Sequence, residues 1–170
     1  MDFRQRCRTA TADNGGTSML AANTIRVNVA HTYKALPCTV YDAWFNPEMA
    51  KRFLFSAEEG HIIRLEIDPH AGGHFLIVDR RPTGDAFYYG VFLELQRPRR
   101  MVFSLSVEEH DHNPERVEID IELLGSGSRL TLIHEMCAEW SDFEEKTRQG
   151  WAQVLEGLDR ELGRTYKLTA

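Results

Sequence analysis

Residues 140–167 read WSDFEEKTRQGWAQVLEGLDRELGRTYK. This is the one segment of the chain clearly long enough for a helix of several turns. Trp151, Leu155, Leu158 and Leu162 fall at offsets of four, three and four, and Val154 joins them in a single apolar stripe. Gln149, Gln153, Glu156, Asp159, Arg160 and Glu161 fill the other faces. Ser141 with Glu144 three residues on has the pattern of a capping box, which places the helix start near Trp140. A helix with one apolar stripe must bury it, so the rest of the chain has to supply a surface for Leu158 and Leu162 to close against.

That surface is written as strands. Thr24 to Lys34 alternates, with Ile25, Val27, Val29 and His31 on one side. After two short helices come His61 to Asp68, with Ile63, Leu65 and Ile67 sharing a face, and His74 to Arg80, with Phe75 and Ile77 sharing one. Ala86 to Leu95 and Met101 to Val107 follow, and Val117 to Leu123 is the cleanest alternation in the chain. Leu130, Leu132 and His134 then share a face of the last strand. The turns between them, such as Pro69-His70-Ala71-Gly72-Gly73 and Gly125-Ser126-Gly127, carry glycine or proline chemistry. Connections this short make the six later strands an antiparallel meander. The two short helices begin near Pro37 and Pro47 and meet at Asn46-Pro47, which makes a V rather than a rod. The class is α+β, an antiparallel sheet with its helices gathered on one face.

Length and composition bound the rest. The 170 residues suffice for one domain with a substantial core, expected over residues 23–167. Residues Met1 to Ala22 lack apolar periodicity and read as a disordered tail, with Met19 an alternative natural start. The net charge of -6 argues against nonspecific nucleic-acid binding. No run approaches the ~20 apolar residues of a membrane span, and the N-terminus lacks the apolar core of a secretory signal. Cys7, Cys38 and Cys137 are odd in number and show no CxxC spacing, so a reducing cytoplasm is expected and a disulfide framework or zinc site is not.

Five stretches then resemble one family in its order: VYDAWFNPEMAKRF at 40–53, LEIDPHAGGHF at 65–75, GVFLELQRPRRMVFSLSV at 90–107, SRLTLIHEM at 128–136 and GW at 150–151. They resemble the SRPBCC superfamily (START-like, polyketide cyclase-like), in the group of heat-shock protein 90 ATPase activator homologues. The resemblance covers roughly residues 24 to 165. It implies the helix-grip fold, a seven-stranded antiparallel sheet wrapped around the long C-terminal helix, with a cavity between them closed at one end by the two short helices. It departs from the family at Phe53-Leu54-Phe55, where Trp-Trp or Trp-Gly is common.

By strand parity the cavity should be faced by Phe75, Ile77, Asp79, Tyr88, Gly90, Phe92, Glu94, Phe103, Leu105 and Val107. Trp44, Phe53, Leu132, His134, Trp151, Val154 and Leu155 approach from other sides, with Gly150 allowing the helix to come close. The ligand-binding set read from this is Trp44, Phe53, Phe75, Ile77, Tyr88, Phe92, Phe103, Leu105, His134, Trp151, Val154 and Leu155. An empty pocket of roughly 300 Å³ would cost ~7 kcal/mol at the slope of engineered cavities, so an open cavity would argue for a ligand and a filled one for a scaffold.

The leading expectation is a carrier of a small hydrophobic, lipid-like or polyketide-like molecule, with no cofactor. His134, Asp79 or Glu94 would orient its polar end. A rival is a cyclase-like or hydrolytic enzyme in the same pocket, with His134 and a carboxylate (Asp79 or Glu94) as acid and base. A lone inward histidine is more often a hydrogen-bonded core residue. The third alternative is a protein-interaction module making a chaperone contact, and a homodimer is also compatible. Glu108-Glu109-His110-Asp111-His112 has metal-ligand residue types, but it lies in a hairpin turn and reads as a solvated loop. No nucleophile elbow, zinc motif or dinucleotide fingerprint is present.

Overall fold

The structure is a computed structural model that describes residues 24–55 and 60–168; the segment read as an N-terminal tail lies outside them. Seven strands form one antiparallel sheet: β1 (Thr24–Tyr33), β2 (His61–Ile67), β3 (His74–Arg81), β4 (Gly84–Gln96), β5 (Arg100–Leu105), β6 (Glu115–Leu124) and β7 (Gly127–Cys137). Their order across the sheet is β1-β7-β6-β5-β4-β3-β2. The meander from β2 to β7 is therefore continuous, and β1 closes beside its last strand. Helices α1 (Pro37–Ala43) and α2 (Pro47–Phe53) follow β1, and the long α3 (Glu144–Leu168) ends the chain. This is the α+β helix-grip arrangement.

Local chemistry accounts for the helix boundaries. Pro37 and Pro47 sit in the first turns of α1 and α2, where no N–H is needed. The Asn46 side chain caps α2 by accepting from the backbone N–H groups of Glu48 and Met49. Arg97 reaches across to α1 and grips both oxygens of Asp42 at 2.7 Å. That bond, helped by the Arg97 charge, holds the Asp42 carboxyl below its ordinary pKa against the opposing effect of burial.

The start of the long helix departs from the capping-box reading. Ala138–Phe143 forms a 3₁₀ helix, and the α-helix begins at Glu144. Ser141 is thus inside the tighter turn and not at an α-helical N-cap. Here Trp140 packs edge-on against Phe143 with ring centroids 5.9 Å apart. Trp151, Val154, Leu155, Leu158 and Leu162 are all buried, so the apolar stripe is the face the sheet receives. The Tyr33 hydroxyl donates to the Leu155 carbonyl at 3.2 Å, tying the end of β1 to mid-helix. Gly150 is not where the helix comes close to a neighbour, since a Cβ there would meet open space. The tight approach is about two turns further on, at Gly157, where a Cβ would stand 3.0 Å from that of Phe53.

Two bulges reset the strand parity. In β2 the pairing with β3 shifts between Ile62 and Arg64. This turns Ile63 outward, 41% exposed, and brings Ile62 into contact with the core beside Leu65 and Ile67. In β4 the pairing with β5 shifts between Phe92 and Glu94. The extra residue, Leu93, is exposed, and Leu95 instead packs against the core. An inserted residue swaps the faces of everything beyond it.

Candidate functional site

The concave side of the sheet holds one cleft near the V of the short helices. It is lined by Trp44, Phe45, Leu54, Phe55, Ile67, Phe75, Ile77, Phe92, Met101 and Phe103, and no polar atom reaches its surface. Trp44 and Phe45 come from the end of α1, Leu54 and Phe55 from the exit of α2, and the rest from β2 to β5. The rings interlock: Phe75 stands 5.5 Å from Phe92 and edge-on at 5.6 Å to Phe103, while Phe45 meets Phe92 at 5.5 Å. The cavity volume is about 30 Å³, room for one or two waters. At the slope of engineered cavities such a void costs ~0.7 kcal/mol, a tenth of what a preformed pocket would. The lining side chains nearly fill it.

Phe55 is the exception to that comfortable packing. It is the one non-glycine residue with positive φ among the described residues, at 50°. A phenylalanine there carries backbone strain of roughly 1–3 kcal/mol, offset by ring contacts. It stacks on Tyr88 with centroids 4.5 Å apart and planes 14° from parallel, and it meets Trp151 edge-on at 5.2 Å. One side of Phe55 therefore lines the cleft, and its ring separates the cleft from Tyr88 and from helix α3. The indole N–H of Trp44 is buried without a hydrogen-bond partner among the described residues.

Of the residues expected to bind ligand, Trp44, Phe75, Ile77, Phe92 and Phe103 line the cleft. Phe53 packs behind it, edge-on to Trp44 at 5.5 Å. Leu105, Val154 and Leu155 belong to the general core. Tyr88 and Trp151 stand beyond Phe55. Phe45, Leu54, Phe55, Ile67 and Met101 were not in the expected set. Phe53-Leu54-Phe55 is a bulky apolar stretch in the sequence, but which of its three side chains points into the cleft depends on how α2 unwinds. Val107 lies past the end of β5 and is 67% exposed, so it faces no cavity.

The polar candidates are scattered. Glu94, turned by the bulge, joins Arg100 on the other face of the sheet, where Arg100 also holds Glu118 at 2.9 Å and Asp120 at 2.8 Å. His134 is buried and accepts a 2.9 Å bond from the Trp151 indole N–H through Nδ1. With Nδ1 accepting, a neutral ring carries its proton on Nε2. Nε2 lies 2.8 Å from a Glu115 carboxylate oxygen, in a geometry that falls short of a hydrogen bond. His134 is thus a link between helix and sheet. It stands four strand spacings from Asp79, about 19 Å along the sheet, so the two do not meet as an acid–base pair. Replacing His134 with leucine is expected to cost about 1–3 kcal/mol by stranding the indole N–H. His134→Gln, which keeps an acceptor, should recover part of it in urea titrations. A loss below ~0.5 kcal/mol for the leucine variant would contradict this role.

Asp79 belongs to a polar corner beyond Phe55. Fully buried, it accepts from Arg81 Nε at 2.7 Å, and Arg81 Nη2 donates to the Tyr88 hydroxyl at 2.7 Å. Burial opposes the Arg81 charge, but the Asp79 and Tyr88 bonds outweigh it and hold the guanidinium pKa above its usual value. Tyr88 moves the same way, driven by burial of its hydroxyl. The turn after β5 is tied by its own polar groups: Ser106 donates to Asp111 at 2.7 Å, and Asp111 accepts from the Asn113 backbone at 2.8 Å. Among the described residues no three His, Cys, Asp or Glu side chains converge as a metal site.

Comparison with known proteins agrees with this architecture. Residues 34–163 match the family model described as "Activator of Hsp90 ATPase homolog 1-like protein", and the chain belongs to that family. Among solved structures, protein NE0264 from Nitrosomonas europaea is similar over 84% of this chain and 96% of its own, at 19% identity and a TM-score of 0.73. The AHSA1-like protein from Aeromonas hydrophila is 17% identical, with 83% and 94% covered and a TM-score of 0.71. CalU16 from Micromonospora echinospora is 23% identical, with 80% and 74% covered and a TM-score of 0.61. No curated protein matches the chain. At these identities the likeness is one of fold. No helix among the described residues is long and apolar enough to cross a membrane.

Proposed function

We propose that the protein binds a small hydrophobic molecule in the aromatic cleft, admitted by displacement of Phe55. The observation that carries this reading is the conjunction at Phe55: a bulky ring on a strained backbone forms one wall of a cleft without polar surface. A residue needed only to fill space has no reason to sit at positive φ, whereas a wall that must move benefits from a closed state that is not fully relaxed. The cleft as it stands is too small for a ligand of any size, so binding requires the Phe55 ring to leave the Tyr88 and Trp151 faces. The loss of those stacking contacts, worth roughly 1 kcal/mol each, is partly offset by relief of the backbone.

The test is titration with a neutral environment-sensitive dye, N-phenyl-1-naphthylamine. The wild-type chain should bind it saturably. Phe55→Gly, which tolerates the positive φ and removes the wall, should bind up to about fivefold tighter, since it no longer forfeits ring contacts that exceed the strain relief by at most ~1 kcal/mol. Absence of saturable binding by both proteins would overturn the proposal. Unchanged affinity in the glycine variant would remove Phe55 from it.

A further inference from the structure

The geometry points to a carboxylate-binding subsite at Arg81, so that the molecule taken up by the cleft is an amphipathic acid. This rests on the reading of the cleft as a hydrophobic binding site, and it adds the chemistry of the ligand's polar end.

Phe75, Ile77, Asp79 and Arg81 alternate along β3 and share its concave face, and the first two line the cleft. From Ile77 to Arg81 is about 13 Å along the strand. The Arg81 side chain covers part of that distance, because its Nη2 reaches the hydroxyl of Tyr88, the residue that pairs with Ile77 across β3 and β4. Tyr88 in turn lies flat on Phe55. The displacement of Phe55 that opens the cleft therefore uncovers the Tyr88 ring and the path to the guanidinium behind it.

The guanidinium has donors to spare. Its Nε is taken by Asp79 and its Nη2 by Tyr88, while Nη1 has no hydrogen-bond partner among the described residues. Arginine has five N–H donors in a rigid plane, so the Nη1 side can still receive a carboxylate. The side chain is 32% exposed while Asp79 is completely buried, so the guanidinium can be approached from a direction its existing carboxylate does not occupy. Asp79 and Tyr88 fix the plane of the group, so little side-chain entropy remains to be lost on binding. A neutral apolar ligand would leave these donors without a partner once the site closed over them. A fatty or aromatic acid would satisfy them.

The experiment compares decanoic acid with decanol, at pH 7.5, by displacement of N-phenyl-1-naphthylamine from the full chain. Wild type should bind the acid about 10- to 100-fold tighter than the alcohol, as expected for a charge-assisted bond in a partly dry site. Arg81→Gln should abolish that preference while still binding the alcohol, and Arg81→Lys should keep a weakened one. Equal affinity of wild type for acid and alcohol overturns the carboxylate subsite and leaves the hydrophobic reading standing. A preference that survives in Arg81→Gln overturns the assignment to Arg81. Displacement by neither compound overturns both readings. If Arg81→Gln fails to fold, the wild-type comparison and Arg81→Lys still decide the matter.

Discussion

Phe103→Ala should cost about 3–5 kcal/mol of stability and enlarge the nearly filled cleft. Phe103 is buried on β5, where its ring meets Phe75 edge-on at 5.6 Å and Phe92 edge-on at 6.3 Å. Its removal takes away apolar contact and leaves a void that interlocked neighbours cannot collapse into freely, because each ring is held by another. Urea titration should show a lower midpoint with an unchanged slope. The new void would be walled by aromatic and aliphatic carbon, the kind of cavity that stays dry and admits benzene or xenon. Saturating benzene should therefore raise the melting temperature of Phe103→Ala by more than that of wild type. A loss below ~1 kcal/mol, or a benzene shift no larger than wild type's, would show that the cluster relaxes to fill the space.

Gly90→Ala tests the same cleft from behind, with an expected cost of about 3 kcal/mol, the upper part of the range for overpacking. Gly90 lies opposite Phe75 on neighbouring strands. A Cβ at this position would stand 2.1 Å from the Ser104 carbonyl oxygen and 2.2 Å from the Phe75 ring. The ring could swing away, but the carbonyl belongs to the sheet and can move only with its strand. The glycine therefore has a purpose beyond flexibility: it is the gap through which Phe75 leans over the sheet to form the cleft floor. If the variant folds, Phe75 should be displaced, and dye binding should change along with stability. A melting temperature within a degree or two of wild type would mean that the sheet yields more easily than its pairing suggests.

These two substitutions also mark where sequence and structure part company. Gly90 was placed on the inward face by alternation alone, and Phe75, Ile77, Phe92 and Phe103 were placed there by the same rule. The rule worked because side chains in a regular strand alternate without exception between faces. It failed at Glu94 because one additional residue, Leu93, reverses the faces after it, and nothing in LELQ distinguishes a bulge from a regular strand. Ile63 was misplaced for the same reason. Val107 was misplaced because alternation continued past the point where pairing stopped.

The long helix gave the opposite lesson. Its stripe was correct to the residue, yet its role changed. Trp151, Val154 and Leu155 had the look of a pocket wall, and they are core; Trp151 touches the cleft only through Phe55. Its polar edge is committed to His134, a pair seventeen residues apart that no local pattern announces.

Periodicity, turn chemistry and the order of five short motifs by themselves determined the seven strands, the two short helices, the long helix that covers the sheet and the family. Those features depend on regular repeats, and a repeat is visible in one dimension. Only the tertiary structure decided that the cleft is nearly filled, that Phe55 and not Trp151 lines it, and that Arg81 stands behind Phe55 and Tyr88. Each of these depends on distances between side chains from different elements, set by bulges, by the unwinding of α2 and by the curvature of the sheet, none of which is periodic.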